Sequence, residues 1–339
     1  PAGLLVMIGL ANIFTGLAYR LPIPIEPMKA IAVVAIAQHW NPSLVYATGF
    51  CMGILWLLLS ATTIMDRVAG FTPTSVTRGI QVALGVMLAV QALYMIDGSW
   101  LLGLACIAII LLLRSNPYLP AAVVLIALGI LIMFMKGQLG GVTFAGPVLP
   151  AVTAFHPLEM WEGMVGAGFA QIPLTATNAI IVTAAMIKTY WPQRDVGVRQ
   201  LSLSTGLMNL VSPFFGGMPM CHGSGGLAGQ YYFGARTGGT NILEVLIEIS
   251  LGVFLGRSLL GILGAFPMPL IGGMMLMVGV QFVGPVLRLR GWPLALALLT
   301  AGLSVATNMA IGFVVGLGAA HGLRWLAGRG MLPGRAEGV

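Results

Sequence analysis

Two charged side chains stand three positions apart in an otherwise apolar stretch near the start of the chain. Glu26 is followed by Pro27, Met28 and Lys29. Burying an ammonium group in apolar surroundings is costly, which favours a functional role for Lys29. The alternative is a structural ion pair with Glu26. If Glu26 takes up a proton, Lys29 is released for an anion, so this pair predicts a means of coupling proton and anion movement.

The second candidate stretch combines a cysteine, a histidine and a serine with several glycines. It runs Met218-Pro219-Met220-Cys221-His222-Gly223-Ser224-Gly225-Gly226. His222 is a candidate hydrogen-bond donor, proton carrier or helix cap, and Ser224 is a candidate cap or ligand contact. The glycines leave the backbone bare enough for a ligand to approach it closely. Cys221 and His222 are adjacent potential metal ligands, but no others follow at a suitable spacing, so no metal site is predicted.

A third set of polar side chains lies within one predicted membrane helix. Gln171, Thr175 and Asn178 share a face of that helix by their spacing, and Pro173 stands between them. A polar face next to a proline indicates the wall of a cavity. Hydrogen bonding between helices is the alternative interpretation.

The helices before the first two stretches carry the same pattern, which indicates an internal repeat. Gly9-Leu10-Ala11-Asn12-Ile13 leads to Pro22, and Gly206-Leu207-Met208-Asn209-Leu210 leads to Pro219. The offset is 197 for both pairs, because 209 − 12 equals 219 − 22. In each copy an apolar helix runs into a proline-rich break and then a short helix. Secondary transporters build a binding site at the bilayer midplane in this way.

The breaks predict two helices that begin within the membrane. Prolines 22, 24 and 27 exclude a helix in the first break. The short helices predicted at 29–39 and 223–233 cannot span about 30 Å at about 1.5 Å per residue. If their N-termini face each other, they present unpaired N–H groups and positive dipole ends to the space between them. We therefore predict an anion site there.

The composition places the chain in a membrane. Hydrophobic residues make up 58% and charged residues 7%, and the mean hydropathy is +0.98. A soluble chain of this size needs a far larger charged surface. The three cysteines are scattered among apolar residues, so neither a disulfide framework nor a zinc site is predicted.

Apolar runs of suitable length predict the transmembrane topology. Helices are predicted near residues 2–20, 29–39, 43–65, 74–93, 99–113, 119–136, 161–189, 198–212, 223–233, 241–264, 268–287, 293–307 and 310–327. The two helices of the repeat pattern are seven segments apart, and an odd separation inverts one copy relative to the other.

The formal charge of +7 follows the connections between these helices. One set of connections carries the basic residues Arg20, Arg67, Arg114, Lys188, Arg194, Arg199, Arg236, Arg288, Arg290, Arg324, Arg329 and Arg335, and also Asp66. The alternate set carries Asp97, Lys136, Glu159 and Glu162. By the positive-inside rule the first set and the C-terminus are cytoplasmic. The charge therefore reflects topology, and no nucleic-acid partner is predicted.

The two breaks and the polar face resemble the signature stretches of a known family. The segments Pro24 to Ala37 and Pro219 to Gly238 are similar to two signatures of the plant and bacterial molybdate transporters, and Gln171-Ile172-Pro173-Leu174-Thr175 with Asn178 is similar to a third. That family is a branch of the sulfate permease superfamily. The resemblance covers essentially the whole chain, and nothing in the chain resembles the cytoplasmic STAS domain of ordinary sulfate permeases.

The resemblance implies an all-α polytopic fold of two inverted seven-segment repeats, with each half-helix preceded by a short extended stretch. A first helix with a Gly-Asp-Leu-Gly-Thr-like stretch is expected in the family and is not found before Pro1. We expect residues 1–339 to form one transport domain, with repeats at 1–137 and 155–330. The core is expected near 1–65 and 158–260, and the gate near 74–136 and 262–327.

The resemblance and the residues together predict a carrier of a tetrahedral oxyanion that works by alternating access. The expected substrate-binding residues are Pro27, Met28, Lys29, Gln171, Thr175, Asn178, Cys221, His222, Gly223, Ser224 and Gly225. The candidates for proton coupling are Glu26 and His222. Main-chain N–H groups near Met28, Lys29 and Gly223 to Gly225 are expected to hold the substrate oxygens. No cofactor is implied.

Several alternatives stay open at this point. The choice of molybdate as the substrate rests on the resemblance, because sulfate has the same charge and shape and the residues do not distinguish the two anions. An anion channel of the same fold is one rival, and a nucleobase permease, which needs carboxylates at its site, is another. No nucleophile and base pair suggests an enzyme. A cell membrane location follows from the topology, and the resemblance suggests a homodimer in the lipid bilayer.

Overall fold

A computed structural model describes residues 2–62, 71–113, 119, 121–138, 147–232 and 234–329. Within these ranges the chain is almost entirely helical, which confirms the predicted all-α class. The helices are α1 (Ala2–Tyr19), α2 (Lys29–Ala37), α3 (Pro42–Ala61), α4 (Thr74–Ile96), α5 (Trp100–Leu113), α6 (Ala121–Met135), α7 (Pro157–Tyr190), α8 (Val198–Val211), α9 (Ser224–Tyr232), α10 (Gly239–Phe254), α11 (Gly256–Ala265), α12 (Met268–Val283), α13 (Gly291–Ala306) and α14 (Met309–Gly328). Two strands complete the order, β1 (Ile25–Pro27) and β2 (Met220–His222).

Six helices in the described part of the chain are long and apolar enough to cross a membrane: α1, α3, α4, α7, α12 with its short extension to Arg288, and α14. The protein is therefore a multi-pass membrane protein. Asp66, Arg67, Arg114 and Arg335, which the topology prediction used, lie outside the described residues, as do residues 63–65 of the predicted segment 43–65.

Two helix boundaries differ from the prediction. Helix α7 begins at Pro157 rather than near 161, because His156 and Glu159 close its N-terminus. Leu158 N donates to His156 Nδ1 (3.3 Å), and His156 N donates to Glu159 Oε2 (2.9 Å). The predicted helix 241–264 is two helices, because Leu255 leaves helical geometry with φ −110° and ψ 2°.

The two predicted half-helices, α2 and α9, each contain nine residues and follow directly on a short strand. At about 1.5 Å per residue, each is about 13 Å long, less than half of the hydrocarbon thickness. Strands β1 and β2 pair antiparallel, with Ile25 opposite His222, Glu26 opposite Cys221 and Pro27 opposite Met220. This sheet joins the N-termini of the two half-helices in the interior of the protein.

The sheet has an internal two-fold relation with an offset of 195 residues. Met28 N donates to Pro219 O (2.8 Å), and Gly223 N donates to Pro24 O (2.9 Å). These bonds are symmetry mates, because 219 − 24 and 223 − 28 both equal 195. The two strands run in opposite directions about this axis, as two inverted repeats require.

The two repeated asparagines hold the first residue of each strand. Asn12 Oδ1 accepts from Ile25 N (2.9 Å). Asn209 Oδ1 accepts from Met220 N (2.8 Å), and Asn209 Nδ2 donates to Met220 O (2.6 Å). The asparagines are 197 residues apart and the strands 195, so the second connection is two residues shorter. The predicted equivalence of Pro22 and Pro219 is therefore wrong, since Pro219 corresponds to Pro24.

Helix packing divides the described helices into two sets that contact each other where α2 packs on α4 and where α14 packs on α7. Helix α1 packs on α10, and α3 packs on α8 and on the start of α7. In the other set α4 packs on α12 and α13, and α13 packs on α14. Helices α4 and α12 cross closely at Gly85 and Gly279, where a Cβ on either glycine would lie within 2.8 Å of the other's carbonyl oxygen. The boundaries of core and gate given above stay a prediction.

Candidate functional site

A cavity of about 200 Å³ lies where the N-termini of the two half-helices meet the middle of α7. The described residues that line it belong to both of the helix sets defined above. The lining residues are Lys29, Gln81, Leu84, Gln171, Leu174, Thr175, Asn178, Ala179, Cys221, His222, Ser224, Gly225 and Phe282. Eight of the predicted site residues, Lys29, Gln171, Thr175, Asn178, Cys221, His222, Ser224 and Gly225, therefore share one cavity.

Lys29 is the first residue of α2 and is the positively charged residue among the described residues that line the cavity. Its Nζ lies 3.4 Å from Glu26 Oε2, so the predicted ion pair is present. The lysine side chain is 53% exposed and the glutamate 29%, which leaves the ammonium group accessible from the cavity. Glu26 is not part of the described cavity wall, so the pair presents its positive end to the interior.

Gln171 has fixed hydrogen bonds on both ends of its amide. Its Oε1 accepts from Ala30 N in the first turn of α2 (2.7 Å), and its Nε2 donates to Thr175 Oγ1 (2.7 Å). Gln171 therefore holds the first half-helix in place, a role that the sequence did not predict. Because the Thr175 hydroxyl accepts from Gln171, its own proton can be donated elsewhere. Asn178 completes the predicted polar face on the cavity wall.

The wall formed by α7 is widened locally. The helix contains π-helical turns at Met164–Gly168 and Thr175–Ile181, and Pro173 lies between them. Proline lacks an N–H group, so the preceding turn has one backbone bond fewer. Thr177 Oγ1 donates to Pro173 O (2.7 Å) and satisfies one of the carbonyl groups in this region. These turns place the Gln171 face opposite the N-terminus of α2.

His222 is 1% exposed and is anchored from behind the cavity. Its Nε2 lies 2.7 Å from Ser204 Oγ on α8, and its ring centroid is 6.1 Å from that of Tyr19. Nδ1 is buried and has no hydrogen-bond partner in the described part of the chain. Ser204 was not predicted as part of the site, although the run Ser202, Ser204 and Thr205 in an apolar helix was a usable signal.

Three predicted binding residues do not line the cavity. Pro27 has no N–H group and lies in β1. The N–H groups of Met28 and Gly223 are already used in the bonds to Pro219 O and Pro24 O. Their predicted role as main-chain donors to a substrate is therefore corrected, because the sheet between the two half-helices occupies both groups. Of the residues expected to offer main-chain donors, Lys29, Ser224 and Gly225 line the cavity.

Five described lining residues come from outside the predicted set: Leu174 and Ala179, which stand next to predicted residues on α7, and three from other helices. Gln81 and Leu84 belong to α4, and Phe282 belongs to α12. Gln81 is a polar residue in an apolar helix and stands three positions after Arg78, which was the available signal. Gln81, Leu84 and Phe282 close the cavity on the side opposite α7.

The lining has the chemistry of an anion site. One ammonium group and several hydroxyl and amide donors surround the cavity, and no carboxylate belongs to its described wall. The first turns of α2 and α9 add the positive ends of two helix dipoles. An arrangement dominated by donors accepts a deprotonated oxyanion and disfavours ligands that must donate protons themselves.

The close approach of α9 to the segment before α2 depends on Gly226. A Cβ at Gly226 would lie 2.6 Å from both Glu26 Oε1 and Pro24 Cγ, whereas a Cβ at Gly229 on the same half-helix meets nothing within 4 Å. We expect Gly226→Ala to lower the stability of the purified protein by about 1–3 kcal/mol, because a proline ring, unlike a long side chain, cannot rotate away from the added methyl group. Gly229→Ala is the control and is expected to be neutral or stabilising. Melting temperatures in detergent test both, and equal melting temperatures for the two variants would contradict the account.

Comparison with known proteins places these features in a family. The chain matches the family described as "Molybdate transporter of MFS superfamily" over residues 1–88 and 163–282. It is 30% identical to Molybdate transporter 1 of Arabidopsis thaliana over 364 residues, covering 92% of this chain and 79% of that protein. Molybdate transporter 2 of the same plant is 30% identical over 82% of this chain and 71% of its own. Molybdate transporter 1 of Chlamydomonas reinhardtii is 26% identical over 92% and 84%.

Solved structures share the fold at low sequence identity. The transmembrane domain of a cyanobacterial bicarbonate transporter superimposes with a TM-score of 0.68 at 16% identity, covering 91% of this chain and 92% of that domain. A murine Solute Carrier 26 family anion transporter in the inward-facing state gives a TM-score of 0.64 at 15% identity, with 96% of this chain and 67% of that chain covered. At this identity the similarity concerns the fold, which is that of inverted-repeat anion transporters.

Proposed function

The chain belongs to the molybdate transporter family, and we propose that it carries molybdate, a tetrahedral dianion, into the cell by alternating access. The observation that carries this proposal is the cavity between the N-termini of α2 and α9, with Lys29 as the charge of its described wall. The relatives named above as molybdate transporters supply the identity of the substrate.

The proposed binding mode uses the residues on the cavity wall. Lys29 Nζ balances part of the dianion's charge, and the Ser224 hydroxyl and the Asn178 amide donate to its oxygens, while the buried Thr175 hydroxyl holds the Gln171 amide. His222, held by Ser204, forms part of the wall behind the bound anion. Cys221 supplies a buried apolar surface, and Gln171 keeps the N-terminus of α2 in place. Such a partly dry site strengthens each of these interactions relative to water.

Transport then requires movement of one set of helices against the other. We assign residues 1–65 and 158–260 to the moving core that holds the site, and residues 74–136 and 262–327 to the gate. The packing of α4 on α12 and α13 supports the gate, and the joined half-helices support a rigid core. The site opens to each side of the membrane in turn while its own bonds stay intact.

Proton coupling through Glu26 is part of the proposal. A protonated Glu26 no longer pairs with Lys29, which leaves the ammonium group free for the dianion. His222, the second candidate, has an unpartnered buried ring nitrogen within the described residues. We expect molybdate uptake to rise when the outside is acidified at constant membrane potential. Uptake that does not respond to the proton gradient would contradict this coupling.

We place the protein in the cell membrane with its C-terminus on the cytoplasmic side. The support is the series of basic connections at Arg199, Arg288, Arg290, Arg324 and Arg329. A homodimer in the bilayer is proposed from the family resemblance.

The testing experiment is uptake of labelled molybdate by proteoliposomes that contain the full-length protein, with sulfate or uracil as competitor. We expect saturable uptake that resists equimolar sulfate. Uptake abolished by equimolar sulfate would make the protein a general oxyanion carrier. Current without saturation would indicate a channel, and binding of uracil in place of molybdate would contradict the proposal.

A further inference from the structure

One polar side chain reaches the cavity from the helices opposite the predicted site. Gln81 lies on α4, is 8% exposed and lines the cavity together with its neighbours Leu84 and Phe282. Leu84 and Phe282 are apolar, so Gln81 is the polar residue among the three described lining residues that come from α4 and α12. The other polar lining residues lie on α2, α7, β2 and α9. Gln81 therefore faces the anion site from the other side.

The orientation of the Gln81 amide is fixed by Arg78. Arg78 NH1 donates to Gln81 Oε1 at 2.8 Å. A guanidinium group has only donors, so the atom that it contacts must be the amide oxygen. The amide oxygen is thereby turned to the arginine, and Nε2, with its two protons, has no protein acceptor in the described part of the chain. An amide held in this orientation presents its N–H donors to an anion, and its oxygen points away from the anion.

Arg78 is well suited to hold this position. It is partly buried on a membrane helix, and the ion pair in the described residues joins Lys29 to Glu26, so Arg78 has no carboxylate partner there. A partly buried charged side chain on an apolar helix needs a polar partner, and the Gln81 amide is the partner of Arg78 in the described residues. Arg78 lies behind Gln81 and does not belong to the described cavity wall.

We propose that Gln81 is a substrate ligand contributed by the gate and that Arg78 is the residue that positions it. This inference rests on the proposed oxyanion transport. The oxyanion held by α2, α7 and α9 then receives a hydrogen bond from α4 only in the arrangement of the two helix sets seen here. A ligand that binds one arrangement more tightly than another shifts the protein towards it. Gln81 thus links substrate occupancy to the position of the gate.

The test measures molybdate uptake by the full-length protein in proteoliposomes, with Gln81→Leu compared with wild type. We expect the KM for molybdate to rise about 10-fold or more, the loss that follows removal of one hydrogen bond to a charged group. Gln91→Leu is the matched control, since it makes the same change on the same helix outside the described cavity wall, and its KM is expected to stay within twofold.

Arg78→Met tests the positioning role. It is expected to raise KM in the same direction, and the combined variant is expected to be no worse than Gln81→Leu alone, because both changes remove one interaction. A merely structural role of Arg78 would instead give effects that add. Additive effects would overturn the assignment of Arg78.

The outcomes separate this inference from the proposed function. No saturable molybdate uptake by wild type would overturn the proposed function itself. Normal wild-type uptake with a KM of Gln81→Leu within twofold of wild type would overturn the inference alone. If Gln81→Leu does not assemble, Gln81→Glu is measured instead. Glutamate has the shape of glutamine and keeps the bond to Arg78, but it presents a carboxylate oxygen to the anion where the amide presents its N–H groups. Gln81→Glu is expected to raise KM at least about 10-fold, and an unchanged KM would overturn the inference.

Discussion

Replacing Lys29 with alanine is expected to lower the ratio of Vmax to KM for molybdate uptake about 100-fold or more. Bound substrate covers the half-exposed Lys29 side chain. Removing one partner of a charge interaction that has become desolvated costs several kcal/mol, because the remaining charge is left without compensation. Here the remaining charge is the substrate dianion, and the first turns of the half-helices offer only partial charges in place of Lys29. The measurement is initial uptake rates over a range of molybdate concentrations, with protein incorporation quantified.

Two matched variants separate charge from structure at this position. Lys29→Arg keeps the charge and is expected to retain substantial uptake with a changed KM. Glu26→Gln removes the partner while Lys29 stays, so the substrate should still bind but uptake should lose its response to a proton gradient. A Lys29→Ala variant that folds and transports like wild type would show that the anion does not bind at α2.

Replacing Asn209 with leucine is expected to destabilise the protein by about 3 kcal/mol, since it leaves the N–H and C=O groups of Met220 without their side-chain partner. Met220 N, Met220 O and Thr205 O all bond to this side chain at 2.6–2.8 Å, and Asn209 is fully buried. Loss of these bonds frees the first residue of β2 and with it the start of α9. Uptake is expected to fall with the fraction of folded protein, and thermal unfolding in detergent measures the change.

Asn209→Asp serves as a second test of this prediction. It keeps the acceptor for Met220 N but turns a carboxylate oxygen towards the two carbonyl groups that Asn209 Nδ2 bonds, so it is expected to be at least as destabilised as Asn209→Leu. The equivalent change Asn12→Leu is expected to act in the same direction, because it leaves Ile25 N without its acceptor. Wild-type melting behaviour of Asn209→Leu would contradict the role assigned to the repeated asparagines.

The sequence predicted those parts of the fold and site that depend on local pattern. Apolar runs located the helices, and the repeated asparagines pointed to two breaks that do have the same architecture. Lys29, His222 and the helix face that contains Gln171 lie in short sequence motifs. They could therefore be found from the residues next to them in the sequence. Eight of the eleven expected binding residues share the described cavity for that reason.

The rest depends on contacts between distant segments. The pairing of β1 with β2, which occupies the N–H groups of Met28 and Gly223, joins residues almost 200 positions apart and leaves no local signal. The same holds for the bond from Ala30 N to Gln171, which makes that side chain a support for the half-helix. Gln81 was overlooked because it lies in the predicted gate, where no ligand was expected.

The measurement that tests the central claim most directly is the position of bound molybdenum in crystals of the full-length protein grown with molybdate. Anomalous scattering identifies this element without ambiguity. We expect one strong peak between the N-termini of α2 and α9, within hydrogen-bonding range of Lys29, Ser224 and Gln81. A protein that transports molybdate and shows its only molybdenum peak away from both half-helices would contradict the account.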